Sequence, residues 1–191
     1  MSRVLKIRKI IAFLLQIVFI FVAFVLQTSV LPIIPVFNCI PNLMLVLVSG
    51  YALIYGEQRG MILGVVAGLL LDSFHSEHFG IFTLIYSLIG FTNGYFGHKV
   101  YEDNIIFRIY ITALSELGFN LLIYFIIFVF RSNFNFVYYF FNIILPKMIF
   151  TSIFAVILSR YFMYVKAQVD AQNYDAHRIN RVKQKQEIEV I

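Results

Sequence analysis

Three apolar runs, residues 10–31, 105–130 and 138–165, restrict this chain more than any other feature it has. An α-helix rises about 1.5 Å per residue, so about 20 residues cross a hydrocarbon layer about 30 Å thick. Each run is long enough to do so. None alternates polar with apolar residues, as the strands of a transmembrane barrel do. Composition points the same way: 61% of the 191 residues are hydrophobic, 13% are charged, and the mean hydropathy is +0.85. A chain this short has one core at most and cannot hide so much apolar surface inside itself. A soluble globular enzyme is close to excluded. So are a disordered chain and a disulfide-stapled secreted domain, since Cys39 is the sole cysteine.

The first run follows a basic start, as a signal peptide does, but its apolar stretch is too long and no convincing small-residue cleavage site follows. Pro32, Pro35 and Pro41 then turn the chain. Two shorter runs, 43–55 and 60–71, are split by Gly56-Glu57-Gln58-Arg59. They must recruit flanking residues or sit where the bundle thins the bilayer. With a further run at 80–97 the count is six, or five if the short pair is re-entrant. The expected fold is an all-α integral membrane protein: a bundle of about six transmembrane helices at about 10–31, 40–56, 60–73, 80–97, 105–130 and 138–165. A polar cytoplasmic tail, 166–191, either continues the last helix or stays disordered.

Charge placement orients such a bundle. Thirteen basic residues fall on the segments that share a side with the two termini: Arg3, Lys6, Arg8, Lys9, Arg59, Lys99, Arg108, Arg160, Lys166, Arg178, Arg181, Lys183 and Lys185. Arg131 alone lies on the opposite side, and Lys147 lies within a run. The positive-inside rule then puts both termini in the cytoplasm. Basic ends of this kind need no nucleic acid to explain them.

Within the third run Gly60, Gly64, Gly68 and Asp72 recur every four residues and share one helix face. The fourth run answers with Tyr86, Gly90, Gly94 and Gly97. Lipid gives helices no hydrophobic reason to associate, so glycine acts by letting backbones approach. A closely packed antiparallel hairpin is the expected use of these faces, and a partner's helix the alternative. Asp72, at the outer end, can cap the fourth helix, accept from nearby backbone or pair with a cation; structural and functional roles stay equally open. His75, Glu77 and His78 follow it, but their spacing fits no usual zinc pattern, and a solvated turn-forming loop is the better account.

Glu116 lies near the middle of the fifth run, on a stripe with Thr112 and Asn120 and beside Ser115. A lone carboxylate at that depth costs about 2.5–3.5 kcal/mol on insertion scales, so it must be protonated, hydrated or paired. Lys147 is the candidate partner, with a depth difference of about 7 Å at 1.5 Å per residue that a lysine can span. Pro146 beside it frees the carbonyl of Asn142. A polar core holding two helices in register is the leading reading; a ligand or ion pocket and a proton relay remain alternatives.

Pro41-Asn42-Leu43-Met44-Leu45, the break at Glu57-Gln58-Arg59, the run from Gly64 to Asp72, and Gly80 with Tyr86 and Gly90-Phe-Thr-Asn-Gly94 resemble the rod shape-determining protein MreD family. The resemblance implies a non-enzymatic component of the bacterial cell-elongation machinery in the plasma membrane. Its implied partners are an MreC-like protein, RodA with a penicillin-binding protein, and the MreB filament. The family is also similar to the six-helix substrate-binding subunits of energy-coupling-factor vitamin transporters, which supplies an alternative function. Those subunits usually carry an Ala-x-x-x-Ala motif in an early helix; here Ala12 and Ala23 stand eleven apart, which favours the scaffold. Under that reading the outer loop with Pro32, Pro35, Pro41 and Asn42, and the glycine faces, are the expected contact regions. No Walker loop, nucleophile elbow, paired catalytic carboxylates or metal signature occurs, so no catalytic residue, metal or cofactor is expected.

Overall fold

A computed structural model describes residues 3–33, 40–74, 79–99, 105–130 and 136–189, and every regular element among them is helical. The helices are α1 (Arg3–Val25), α2 (Leu43–Tyr55), α3 (Glu57–Phe74), α4 (Ile81–Lys99), α5 (Ile105–Phe130), α6 (Phe136–Tyr139) and α7 (Leu145–Glu189). Pro35, the loop residues His75, Glu77 and His78, and Arg131 lie outside the described residues.

Two proline positions explain the irregular turns. After α1 the chain continues through a wide turn, Leu26–Val30, and a tight one, Leu31–Ile33; between α6 and α7 a second wide turn spans Phe140–Ile144. Each wide turn ends two residues before a proline, Pro32 or Pro146. Proline has no N–H, and its ring clashes with the carbonyl four residues back, so the preceding turn opens. The N–H of Leu31 bonds to the carbonyl of Leu26, and that of Leu145 to Phe140, each five residues back.

α2 occupies the centre. Its residues from Leu43 to Ala52 are all buried, and it packs against α1, α3, α4, α5 and α7. A helix that is apolar all round has no lipid or water face to keep and belongs in such a place. Met44, Leu45, Val48, Tyr51, Leu63 and Tyr86 form the middle of the core. The expected break at Gly56-Glu57-Gln58-Arg59 is shorter than the sequence suggests. Gly56 alone makes the turn, at φ 86°, and Glu57 already opens α3. That backbone region is cheap only for glycine.

Ring contacts tie the last helix to the centre. Tyr51 and Tyr161 share a hydrogen bond of 3.0 Å, and the Phe162 ring lies where a Cβ on Gly50 would stand. Outward-facing side chains are large and apolar, among them Leu14, Leu15 and Val18 on α1, Leu114 and Phe125 on α5, and Ile153 and Ile157 on α7. Among the described residues, three helical stretches are long and apolar enough to cross a membrane: Phe13–Ile33, Ile106–Ile126 and Phe136–Ala167. The segment from 166 onward continues α7 as helix as far as Glu189.

Candidate functional site

α3 and α4 meet backbone to backbone. A Cβ built on Gly60 would strike the carbonyl oxygen of Gly90, and one on Gly90 the carbonyl of Gly60. Gly64 lies against the Tyr86 carbonyl, Gly68 against the Thr83 backbone, and Gly94 against Glu57. The glycine faces of α3 and α4 therefore meet each other within this chain, with Gly97 lying against Leu53 of α2. Such close approach gains dispersion contacts and weak Cα–H bonds where the hydrophobic effect gives nothing.

Asp72 closes the hairpin. Its carboxylate is buried and accepts from the backbone N–H of Phe82 at 3.1 Å, from that of Thr83 at 2.9 Å, and from the Thr83 hydroxyl. These N–H groups open α4, so the acid serves as its cap and faces the positive end of the helix dipole. Gly80, at φ 100°, makes the turn into α4.

Asn42 does the same for α2. Its Oδ1 accepts from the Leu45 N–H at 3.1 Å and from the Tyr86 hydroxyl at 2.6 Å, while its own N–H donates to Thr151 Oγ1 at 3.1 Å. Four helices are thereby joined around one side chain and its backbone: α2, α4 and α7 directly, and α5 through the Tyr86 ring, whose centroid is 5.3 Å from that of Phe119. Gln27 adds the wide turn that follows α1, its Oε1 accepting from the Met44 N–H at 3.0 Å. Pro41 is buried beside Asn42, and Pro32 stays exposed.

Below Asn42 lies the charged pair. Glu116 is 0% exposed, and Lys147 Nζ stands 3.8 Å from its Oε1. The same oxygen accepts from Asn120 Nδ2 at 2.9 Å. The ammonium also sits 5.1 Å from the centre of the Phe119 ring, a cation–π arrangement. A cavity of about 390 Å³ adjoins this group, with Asn42, Tyr86, Asn120 and Lys147 in its wall.

Thr112, on the same stripe as Glu116, turns to a different partner. It shares a hydrogen bond of 3.2 Å with Ser49, and Asn93 donates to both Ser49 and Ser115 at 2.9 Å. This second network links α2, α4 and α5. Its hub, Asn93, sits inside the Gly90–Gly94 element, and Ser49 lies in the apolar run of α2; neither stands out in the sequence as Glu116 and Asp72 do, and the signal that could mark them is a polar side chain within an apolar helix. Among the described residues no three His, Cys, Asp or Glu side chains approach closely enough to share a metal.

The sequence model described as "rod shape-determining protein MreD" matches residues 7–166. No curated protein and no solved structure gives a match. The matched stretch runs from α1 into α7 and contains the glycine hairpin, both capping residues and the Glu116–Lys147 pair. The chain belongs to the rod shape-determining protein MreD family.

Proposed function

We propose that this protein is a non-enzymatic membrane component of the bacterial cell-elongation complex, which maintains rod shape by scaffolding lateral peptidoglycan synthesis. Membership of the MreD family, a rod shape-determining family, is the observation that carries this reading. The scaffold spans the plasma membrane about six times with both termini in the cytoplasm, supported by the thirteen basic residues on that side against Arg131 alone on the other. Its partners are an MreC-like protein, RodA with its penicillin-binding protein, and the MreB filament. The glycine faces are consumed by the α3–α4 hairpin, and Pro41 and Asn42 are buried, so within the outer segment around Pro32, Pro35, Pro41 and Asn42 it is the exposed Pro32 end at which partners meet the chain. Depletion in the native cell, followed by microscopy and affinity capture, tests the proposal. Loss of cylindrical growth with recovery of wall-synthesis proteins supports it; unchanged rods reject it.

The cavity beside Lys147 favours a second reading, the substrate-binding subunit of an energy-coupling-factor vitamin transporter. On that reading depletion leaves cell shape unaltered and abolishes uptake of one vitamin.

A further inference from the structure

The cavity of about 390 Å³ is shaped by both of the chain's wide turns. Gln27 and Thr28 belong to the first, Leu26–Val30; Ile143 belongs to the second, Phe140–Ile144, and Tyr139 directly precedes it. Turns of this kind are rare within helices and gather at functional sites. Here two of them, each set off by its own proline, border one space. Its volume lies within the roughly 300–1,000 Å³ of small-molecule sites.

Lys147 is the charged residue of the wall. Its ammonium is 3.8 Å from Glu116 Oε1, well beyond the roughly 2.7–2.9 Å of a charge-assisted hydrogen bond. The lysine side chain is 25% exposed and the glutamate 0%. The pair is therefore a dipole whose positive end borders the cavity, with Asn120 between the space and the carboxylate. Gln27 lines the cavity as well, and its side chain, whose carbonyl oxygen is taken by the Met44 N–H, carries an amide donor. Phe82, Phe119 and Ile123 supply an apolar wall. Donors and rings together suit a molecule that carries both an acceptor group and apolar surface.

We infer that this cavity binds an amphiphile whose oxygen head is net negative, a carboxylate or a phosphate with no tethered cation, held at Lys147 and Gln27, with an apolar body against Phe82, Phe119 and Ile123. The same head chemistry occurs on an acidic membrane lipid and on a free organic acid. The inference does not rest on the elongation-complex reading.

Thermal unfolding of the full-length protein in neutral detergent tests it, with phosphatidylglycerol, phosphatidylcholine and laurate as probes. Anything that binds only the folded state raises the midpoint with its concentration. A rise with phosphatidylglycerol and laurate but not phosphatidylcholine is expected. A rise with phosphatidylglycerol alone assigns the site to lipid headgroups, and with laurate alone to free acids. Native mass spectrometry should count one bound anion per chain. The double variant Lys147→Met with Glu116→Gln removes both charges without stranding either, and should weaken the anion response at least about tenfold. Ile123→Phe fills the space, keeps Lys147, and should weaken it likewise. An equal response to phosphatidylcholine, or an undiminished response in both variants, overturns the inference. Should neither variant fold, the head-group comparison on the unaltered protein decides.

Discussion

Gly60 on α3 and Gly90 on α4 face each other so closely that a methyl group on either would collide with the other's carbonyl oxygen. The obstacle is backbone, which cannot swing aside as a side chain can. Gly90→Ala should therefore force the hairpin apart and cost about 1–3 kcal/mol, the usual range for overpacking. Gly118 is the control: nothing lies within 4 Å of its missing Cβ, so Gly118→Ala should be neutral or stabilising by at most about 1 kcal/mol. Unfolding of both variants in mixed detergent measures the difference; equal effects would discard the packing argument.

Asp72→Ala removes the acceptor that holds the N–H groups of Phe82 and Thr83. Loss of a helix cap costs about 0.5–2 kcal/mol. Because the site is buried and the donors would be stranded, the upper part of that range is expected. Asp72→Asn retains one oxygen and should recover part of the loss. Amide exchange at the start of α4 should quicken in the alanine variant more than at its end; uniform exchange along α4 would contradict the capping role.

Glu116→Gln and Lys147→Met each leave one member of the pair without its countercharge in a low-dielectric site, a loss of about 3–5 kcal/mol for a buried pair. The double change strands nothing and should cost less than the sum of the two by about 0.5–3 kcal/mol. Strict additivity in this cycle would mean that the 3.8 Å approach carries no energetic coupling.

Asn42→Ala should destabilise more than Tyr86→Phe. The first removes the α2 cap and the Tyr86 partner together; the second removes the hydroxyl donor alone, worth about 1 kcal/mol. The Tyr86 ring keeps its contact with Phe119 in the phenylalanine variant. Thermal denaturation of the two variants ranks them, and the reverse order would remove Asn42 from its central place.

Cys39, the sole cysteine, falls in sequence within the segment that the proposed orientation puts outside the cell. A membrane-impermeant maleimide should label it in intact spheroplasts, while a protease site after Glu189 should be cut only in inverted vesicles. Labelling of Cys39 confined to inverted vesicles would reverse the orientation.

The spacing of four along Gly60, Gly64, Gly68 and Asp72 is legible because helix geometry puts such residues on one face whatever surrounds them. The glycines answering on the next run make α4 the expected partner, while spacing alone leaves a second protein's helix as the alternative, since any close backbone suits glycine equally. The nearest backbone turns out to be α4. In the same way Glu116 with Asn120 follows from an i, i+4 relation, whereas Thr112 on the same stripe turns to Ser49, 63 residues away in sequence. Pattern reveals which positions share a side; across the bundle it points to a partner where a buried charge demands a countercharge, as Glu116 does of Lys147, and not for a hydroxyl such as that of Thr112.

From residues alone came the lipid environment, the helical class, the family resemblance and the attention drawn to Asp72, Glu116 and Lys147. These depend on composition and local periodicity, which survive without knowledge of neighbours. The central position of α2, the meeting of four helices and the first wide turn around Asn42 and Gln27, and the cavity bordered by two proline-widened turns were decided by packing in three dimensions. They arise from contacts between residues far apart in the chain, and the free energy of such contacts exists only once distant helices have come together.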